Sequence, residues 1–353
     1  MKHLQKLMAA AVIAGTFTAC KKDKDPIIVV PPSSGAQVQL DGGTGGASAV
    51  NSVFLDLSTD KQTALARASW DLGFYCGSDF RVILNNTASA GAKVLTKNDL
   101  TAVVAADTIG LTLATSQTAP APGDLAYFDD IAGDLTKTVI PAVSATDADN
   151  KVIILNRGIG GAIPARAWVK LRVLRNTSGG YTLQYAGIQE TTFKTLQISK
   201  DDIYHFKLVS IENGVLSSGF PEKDKWDITW GYSVYQTDFG GGMVPYNFSD
   251  LIAVNYLAGV TVGTKTYADA TVAGNAFTAF NKDSVANTTM VSGRWTIGST
   301  WRSTQPATGA ILNRFYIIKD AAGNYYKLRC LAMGVGSDGG TRGKPDFKYT
   351  LIN

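Results

Sequence analysis

Trp70-Asp71-Leu72 in the first half of the chain recurs as Trp226-Asp227-Ile228 in the second half. A short apolar run precedes each of them, FLDL at residues 54–57 and FKLV at residues 206–209. Motifs that recur in the same order at a long period indicate an internal repeat. The sequence therefore predicts two related segments, each built around one Trp-Asp pair.

The residues after each Trp-Asp pair alternate between apolar and polar, as strands with one buried face do. The alternation is clearest at residues 169–173 (VKLRV) and 326–330 (YKLRC). Residues 176–180 (NTSGG) and 320–324 (DAAGN) carry the Asn, Asp and Gly residues of tight turns, so each predicts a hairpin. We predict an all-β fold of two tandem antiparallel sheet or sandwich domains.

The first twenty residues have the features of an export signal. A short basic start is followed by an apolar run at residues 7–17 (LMAAAVIAGTF), which is too short to span a bilayer. Small residues directly before Cys20 resemble a bacterial lipobox, in which the cysteine becomes the lipidated N-terminus. We predict a lipoprotein signal peptide over residues 1–19 and lipidation at Cys20. The alternative is an ordinary secretory signal with an incidental cysteine.

Residues 20–47 begin with a charged run and continue with Val, Pro, Ser and Gly, so we predict a flexible tether. The Lys/Asp run after Cys20 resembles the surface-export signal of Bacteroidetes lipoproteins. These features predict a protein that is anchored to the outer membrane by its acyl group and faces the cell exterior. The folded part is then expected as two β domains, residues 48–200 and residues 201–353.

Composition excludes several function classes. The chain has 353 residues, of which 45% are hydrophobic, enough for a large core. Its formal net charge of +4 gives no electrostatic basis for binding nucleic acid. With only 2 histidines and no nucleophile elbow, zinc-protease motif or phosphate-binding loop, we predict neither an enzyme nor a metal site.

The order of motifs resembles the HmuY-like family of Bacteroidetes outer-membrane lipoproteins. The structural motif that carries the resemblance comprises Trp70, Asp71, Asp79, Arg81, Asn85, Trp226 and Asp227. The second segment has residues 233–237 where the first has its Asp-x-Arg and Asn residues, so this set is expected only once. The resemblance implies capture of haem for iron acquisition and its transfer to a TonB-dependent outer-membrane receptor.

Haem iron needs axial donors, usually His, Met, Cys or Tyr, and after removal of the signal only His205 remains as a histidine. The resemblance to relatives that use methionine pairs makes Met243 and Met290 candidate haem ligands. Trp301 and Arg302 are candidates for contacts with the macrocycle or a propionate, and Trp301 is expected to be exposed. The alternative for each methionine is that it packs in an apolar core and binds no ligand.

Two other functions remain open from the sequence. A protein of the same fold without haem would serve as a glycan- or protein-binding module at the cell surface, or would hold another small molecule. A purely structural surface lipoprotein would use the duplication as a spacer. Cys76 and Cys330 are either two buried small side chains or an interdomain disulfide.

Overall fold

Antiparallel strands make up most of the fold in the computed structural model, which describes residues 30–216 and 219–353. Within these residues the strands, in chain order, are β1 (Gly35–Gln39), β2 (Asn51–Asp56), β3 (Lys61–Ala66), β4 (Leu72–Tyr75), β5 (Val82–Leu84), β6 (Gly91–Val94), β7 (Ile153–Asn156), β8 (Val169–Arg175), β9 (Tyr181–Gly187), β10 (Lys194–Ile198), β11 (Phe206–Ser210), β12 (Val215–Leu216), β13 (Ile228–Asp238), β14 (Met243–Val254), β15 (Thr261–Thr266), β16 (Arg302–Ser303), β17 (Gly309–Ala310), β18 (Arg314–Lys319), β19 (Tyr325–Ala332) and β20 (Asp346–Leu351). The α-helices are α1 (Ala270–Ala279) and α2 (Lys282–Val285). Short 3₁₀ turns lie at Gly46–Ser48, Arg67–Ser69, Asn86–Ala88, Leu100–Ala102, Ala105–Thr108, Pro122–Tyr127, Leu135–Lys137, Asp147–Asp149 and Tyr256–Ala258.

The strands form two five-stranded sheets, two four-stranded sheets and a short ribbon of β16 and β17. The five-stranded sheets have the orders β1-β20-β19-β18-β15 and β10-β9-β8-β7-β6. The four-stranded sheets have the orders β14-β13-β2-β3 and β12-β11-β4-β5. Each pairing between these strands is antiparallel. The predicted all-β fold is confirmed, and the turns at 176–180 and 320–324 join β8 to β9 and β18 to β19 as expected.

Each four-stranded sheet packs one of its faces against a five-stranded sheet, because side chains alternate between the two faces of a strand. Val53 and Leu55 of β2 and Trp230 of β13 share a core with Tyr326 and Phe347 of the first five-stranded sheet. In the same way β4 and β5 share a second core with β7, β8 and β9. The result is two sandwiches, each with its own core.

The remaining faces of the two four-stranded sheets meet each other. Phe54 and Leu65 from one sheet and Phe206 and Leu208 from the other form a third apolar cluster, with Trp70 buried among them. The second repeat tryptophan packs against the same cluster from its edge. The central layer therefore joins the two sandwiches and contains both Trp-Asp tryptophans.

Two strands are exchanged between the halves of the chain. Strand β2, which comes before the first Trp-Asp pair, lies in the same sheet as β13, which follows the second pair. Strand β11, which comes before the second pair, lies in the same sheet as β4, which follows the first pair. Strand β2 pairs with β13, with Phe54 opposite Thr229, and strand β11 pairs with β4, with Leu208 opposite Gly73. Residues Pro32–Asn353 form one compact unit. The predicted boundary at residues 200/201 therefore does not separate two packing units, and the two tandem copies stay a prediction.

An asparagine after each Trp-Asp pair makes the same hydrogen bonds. The side-chain amide of Asn85 donates to the carbonyl oxygens of Arg67 and Trp70, both at 2.7 Å. The amide of Asn255 donates to those of Lys223 and Trp226, both at 2.8 Å. The expectation that the second segment lacks this asparagine is wrong. The sequence does not reveal Asn255 as the equivalent residue, because the long β13–β14 hairpin separates it from its Trp-Asp pair.

The C-terminal part of the predicted tether is folded. Strand β1 pairs with β20, with Val38 opposite Phe347, and Leu40 is completely buried in the first core. The alternation of polar Gln37 and Gln39 with Val38 and Leu40 is the pattern of a strand that buries one face. The prediction of a flexible tether over residues 20–47 is therefore wrong from β1 onward.

The predicted signal peptide, the start of the tether and Cys20 lie outside the described residues. Within the residues described, no helix combines the length and the apolar character that a membrane span needs. Cys76 and Cys330 are both buried and free, so they do not form the disulfide that the sequence left open.

Candidate functional site

A cavity of about 160 Å³ lies in the central layer, between the two four-stranded sheets. Ser52 and Phe54 of β2 and Thr229 of β13 form one wall. Phe206 and Leu208 of β11 form the opposite wall. A loop between β6 and β7, together with the segment that follows β14, supplies a more polar end. The cavity is therefore built by strands from both halves of the chain.

Aromatic side chains line this cavity and contact each other edge to face. The Phe54 ring centroid lies 5.1 Å from that of Trp226 and 5.4 Å from that of Phe220, with interplanar angles of 85° and 82°. Trp70 is buried and lines the same space. Edge-to-face pairs of this kind are favourable arrangements, so the rings hold one another in a defined wall.

Three hydrogen-bonding groups of the cavity wall have no partner. The hydroxyls of Ser52 and Thr229 and the indole N–H of Trp226 are buried, and no acceptor or donor within the described residues reaches them. Buried polar groups are normally satisfied, and an unsatisfied one costs about 1–3 kcal/mol. These groups therefore mark the part of the wall where a bound molecule would gain most from polar contacts.

Charged side chains lie at the polar end of the cavity. The Asp129 carboxylate accepts the backbone N–H groups of Leu84 at 2.7 Å and Val139 at 2.8 Å. Burial nevertheless raises the pKa of Asp129 to about 6. Burial lowers the pKa of Arg294, which forms no ion pair within the described parts of the chain and carries its guanidinium over the ring of Trp295.

His205 lines the cavity as well, although its sequence context does not predict a site there. Its Nε2 atom lies 3.2 Å from the side-chain oxygen of Asn255. Burial lowers the pKa of His205, so the ring is neutral at pH 7. This histidine is thus tied to the asparagine that organises the second Trp-Asp pair.

The two candidate methionine ligands lie in different environments. Met243 begins β14 beside a glycine-rich turn, and 42% of it is exposed. Met290 packs against the apolar cluster that α1 forms on the outer face of β18, which includes Phe277 and Phe315. Neither methionine lines the central cavity. The structure does not bring this pair together around one space.

Trp301 is fully buried, and the expectation that it is exposed is wrong. Its indole N–H donates to the carbonyl oxygen of Asp250 at 2.8 Å, and its ring lies edge-on to Phe347 at 5.5 Å between centroids. Trp301 therefore belongs to the first core. Arg302 donates to the carbonyl oxygen of Ser249 at 2.6 Å, so neither residue faces the cavity.

Asp71, in the first Trp-Asp pair, is the centre of a buried ionic network. It accepts hydrogen bonds from the guanidinium of Arg157 at 3.0 and 3.1 Å and from that of Arg166 at 2.9 Å. It also accepts the backbone N–H of Ile211 at 2.8 Å. Arg157 pairs in addition with the exposed Glu212. This part of the motif is structural, because it ties β4 to the end of β11 and to the segment after β7.

Asp227, in the second pair, forms no ion pair with any of the residues that the structure describes. Its carboxylate accepts the backbone N–H of Leu57 at 2.8 Å, which ties the end of β2 to β13. Burial raises the pKa of Asp227 to about 7, and the nearby Asp320 and Asp56 add to the rise. In both Trp-Asp pairs the carboxylate thus accepts a backbone N–H group, but the arginine partners are found at Asp71.

Asp79 and Arg81 also lie away from the cavity. Their carbonyl oxygens and the backbone N–H of Arg81 surround the hydroxyl of Tyr181. Asp79 is exposed, and its carbonyl oxygen accepts from Lys200 at 2.9 Å. These two motif residues therefore contribute their backbone to a turn beside the second core.

The residues present do not fit a haem group held in this cavity. A cavity of about 150 Å³ holds a molecule of the size of benzene, whereas a porphyrin is several times larger. The candidate axial donors Met243 and Met290 lie elsewhere, and Trp301 is packed in a core. His205 lines the cavity, but its Nε2 atom faces Asn255.

The fold and the cavity define a layered, all-β protein with a small aromatic-lined space at its centre. The chain belongs to the HmuY family, because the family model described as HmuY protein matches residues 48–349. The match covers all strands from β2 to β19 and most of β20. Searches of curated proteins and of solved structures found no match to the chain.

Proposed function

We propose that this protein is a non-enzymatic capture protein that holds a ligand other than haem in its central cavity. The observation that carries the proposal is the cavity itself, in which aromatic residues line the wall beside buried donors that have no partner in the described part of the chain. Such a site, apolar with a few polar groups, is typical of small-molecule binding. The charged groups at its end, Asp129 and Arg294, are separated from each other by more than ion-pair distance.

The surroundings of the protein are part of this proposal. Lipidation at Cys20 would anchor the chain to the outer membrane, and the acidic and basic run that follows supports an outward orientation. A TonB-dependent receptor would accept the captured ligand. Family membership suggests a haem-binding surface protein, and haem is therefore the ligand against which the proposal has to be tested.

We expect a titration of haemin into the chain that begins after Pro32 to give no saturable change in the Soret band near one equivalent. The physical reason is that no two candidate donors meet around a space large enough for the porphyrin. Met243→Ala and Met290→Ala should give the same featureless titration as the parent. A saturable Soret shift that either variant abolishes would contradict the proposal and establish haem capture by methionine.

A further inference from the structure

We propose that the central cavity binds a neutral, single-ring aromatic molecule that carries a hydrogen-bond acceptor, such as a phenol. This inference rests on the proposed function of ligand capture and specifies the chemical class of the ligand. It is carried by the size of the cavity, the chemistry of its wall and the charges at its end.

Size limits the ligand to one ring with small substituents. The cavity of about 160 Å³ is close to the cavity of about 150 Å³ that accommodates benzene in another protein. Phe54, Trp70, Phe206 and Trp226 line this space. A flat aromatic ring can join such an arrangement through stacked or edge-to-face contacts, which a branched aliphatic molecule of the same volume cannot make.

The unpartnered donors require an acceptor on that ring. Thr229 lies directly opposite Phe54 in the sheet, and Ser52 lies two residues before Phe54 on the same strand. All three side chains therefore project from one face of the sheet. The indole N–H of Trp226 can only donate, and the two hydroxyls can donate as well. A ligand oxygen in this region would satisfy groups that are otherwise buried and unpaired.

The charges at the end of the cavity favour a neutral ligand. Asp129 and Asp130 lie at this end together with a single cation, Arg294. One oxygen of Asp130 accepts the backbone N–H of Asp134 at 3.2 Å, so both carboxylates are held in place. Because the acidic side chains outnumber the cation at this end, a carboxylate ligand would lose its hydration shell without being stabilised by a net positive charge.

Isothermal titration calorimetry with phenol, toluene and benzoate tests the inference on the chain that begins after Pro32. We expect saturable binding of phenol, with toluene and benzoate each weaker by about tenfold, the effect of one hydrogen bond or one poorly solvated charge. Thr229→Val removes one hydroxyl at constant shape. It should weaken phenol by up to about tenfold and leave toluene unchanged.

Thr264→Val is the matched control, because Thr264 is exposed on β15, in an outer sheet. It should change the binding of none of the three probes. Thr229→Val should also unfold at the same or a higher denaturant concentration than the parent, because the lost hydroxyl has no hydrogen-bond partner among the described residues.

Two results would overturn the inference in distinguishable ways. Equal binding of toluene and phenol, unaffected by Thr229→Val, would contradict the need for an acceptor but would leave ligand capture by the chain intact. Absence of binding by all three probes would overturn both the ligand class and the proposed use of the cavity.

Discussion

Asp71→Asn is expected to destabilise the protein by about 3–5 kcal/mol, the usual cost of removing one partner from a buried ion pair. Arg157 and Arg166 both direct their guanidinium groups at the Asp71 carboxylate, which is completely buried. An asparagine keeps the shape but has no charge, and its amide N–H₂ faces donors. Urea unfolding followed by circular dichroism at pH 7 measures the change.

Asp227→Asn is the matched control, because it is the same substitution in the other Trp-Asp pair. An asparagine oxygen can still accept the backbone N–H of Leu57, and no cation within residues 30–216 and 219–353 loses an ion-pair partner. We expect this variant to be as stable as the parent at pH 7, or more stable. Equal destabilisation by both substitutions would show that the buried network around Asp71 has no special energetic role.

Asp227→Asn is also expected to change how stability depends on pH. The pKa of Asp227 is about 7 in the folded protein and about 4 in an unfolded chain. Between these values the folded state keeps a proton that the unfolded state has released. The free energy of unfolding contributed by this group therefore falls as the pH rises from about 4 to about 7.

The expected size of this effect is about 2–4 kcal/mol over the whole range, since each pKa unit corresponds to about 1.4 kcal/mol. Urea unfolding of parent and Asp227→Asn at pH 5, 6, 7 and 8 isolates it, because other groups cancel in the difference. The free energy of unfolding of the variant should rise relative to that of the parent with each step up to pH 7. Above pH 7 the difference between the two proteins should stay constant. Asp129, with its pKa raised to about 6, contributes equally to both proteins.

Asp134→Asn provides a control for the pH series. Hydrogen bonds to Thr136 lower the pKa of Asp134 to about 2, so this carboxylate is ionised throughout the series. The free energy of unfolding of this variant should depend on pH in the same way as that of the parent from pH 5 to pH 8. A parallel course for Asp227→Asn as well would mean that Asp227 is ionised in the folded protein across the same range.

Local chemistry explains what could be predicted about this fold. The turn sequences at 176–180 and 320–324 and the alternation around them act within a few residues, so they predict β8–β9 and β18–β19 directly. Alternation of the same kind at Val38 and Leu40 spans only four residues, beside Pro, Ser and Gly residues that favour a tether, and β1 is therefore not predicted. The family could be predicted because its short motifs recur in a fixed order.

The site could not be predicted in the same way. Trp301 is expected at the surface because it lies in the stretch before the last hairpin, and only the packing of Phe347 against its ring shows that it is a core residue. Met243 and Met290 are candidate ligands only through the resemblance to relatives that use methionine pairs. Their positions depend on which sheets β14 and β18 join, and this involves strands far apart in the chain.

The sequence alone predicts the β8–β9 and β18–β19 hairpins, the all-β class and the family, because these depend on local alternation, turn residues and motif order. The tertiary structure decided that β2 and β11 pair across the two halves, since any strand with one apolar face can pair with several others. That exchange brings Phe54 and Thr229 onto one wall, with Phe206 on the wall opposite. The cavity therefore depends on the pairing of strands that are far apart in the chain and on the packing of the two four-stranded sheets against each other.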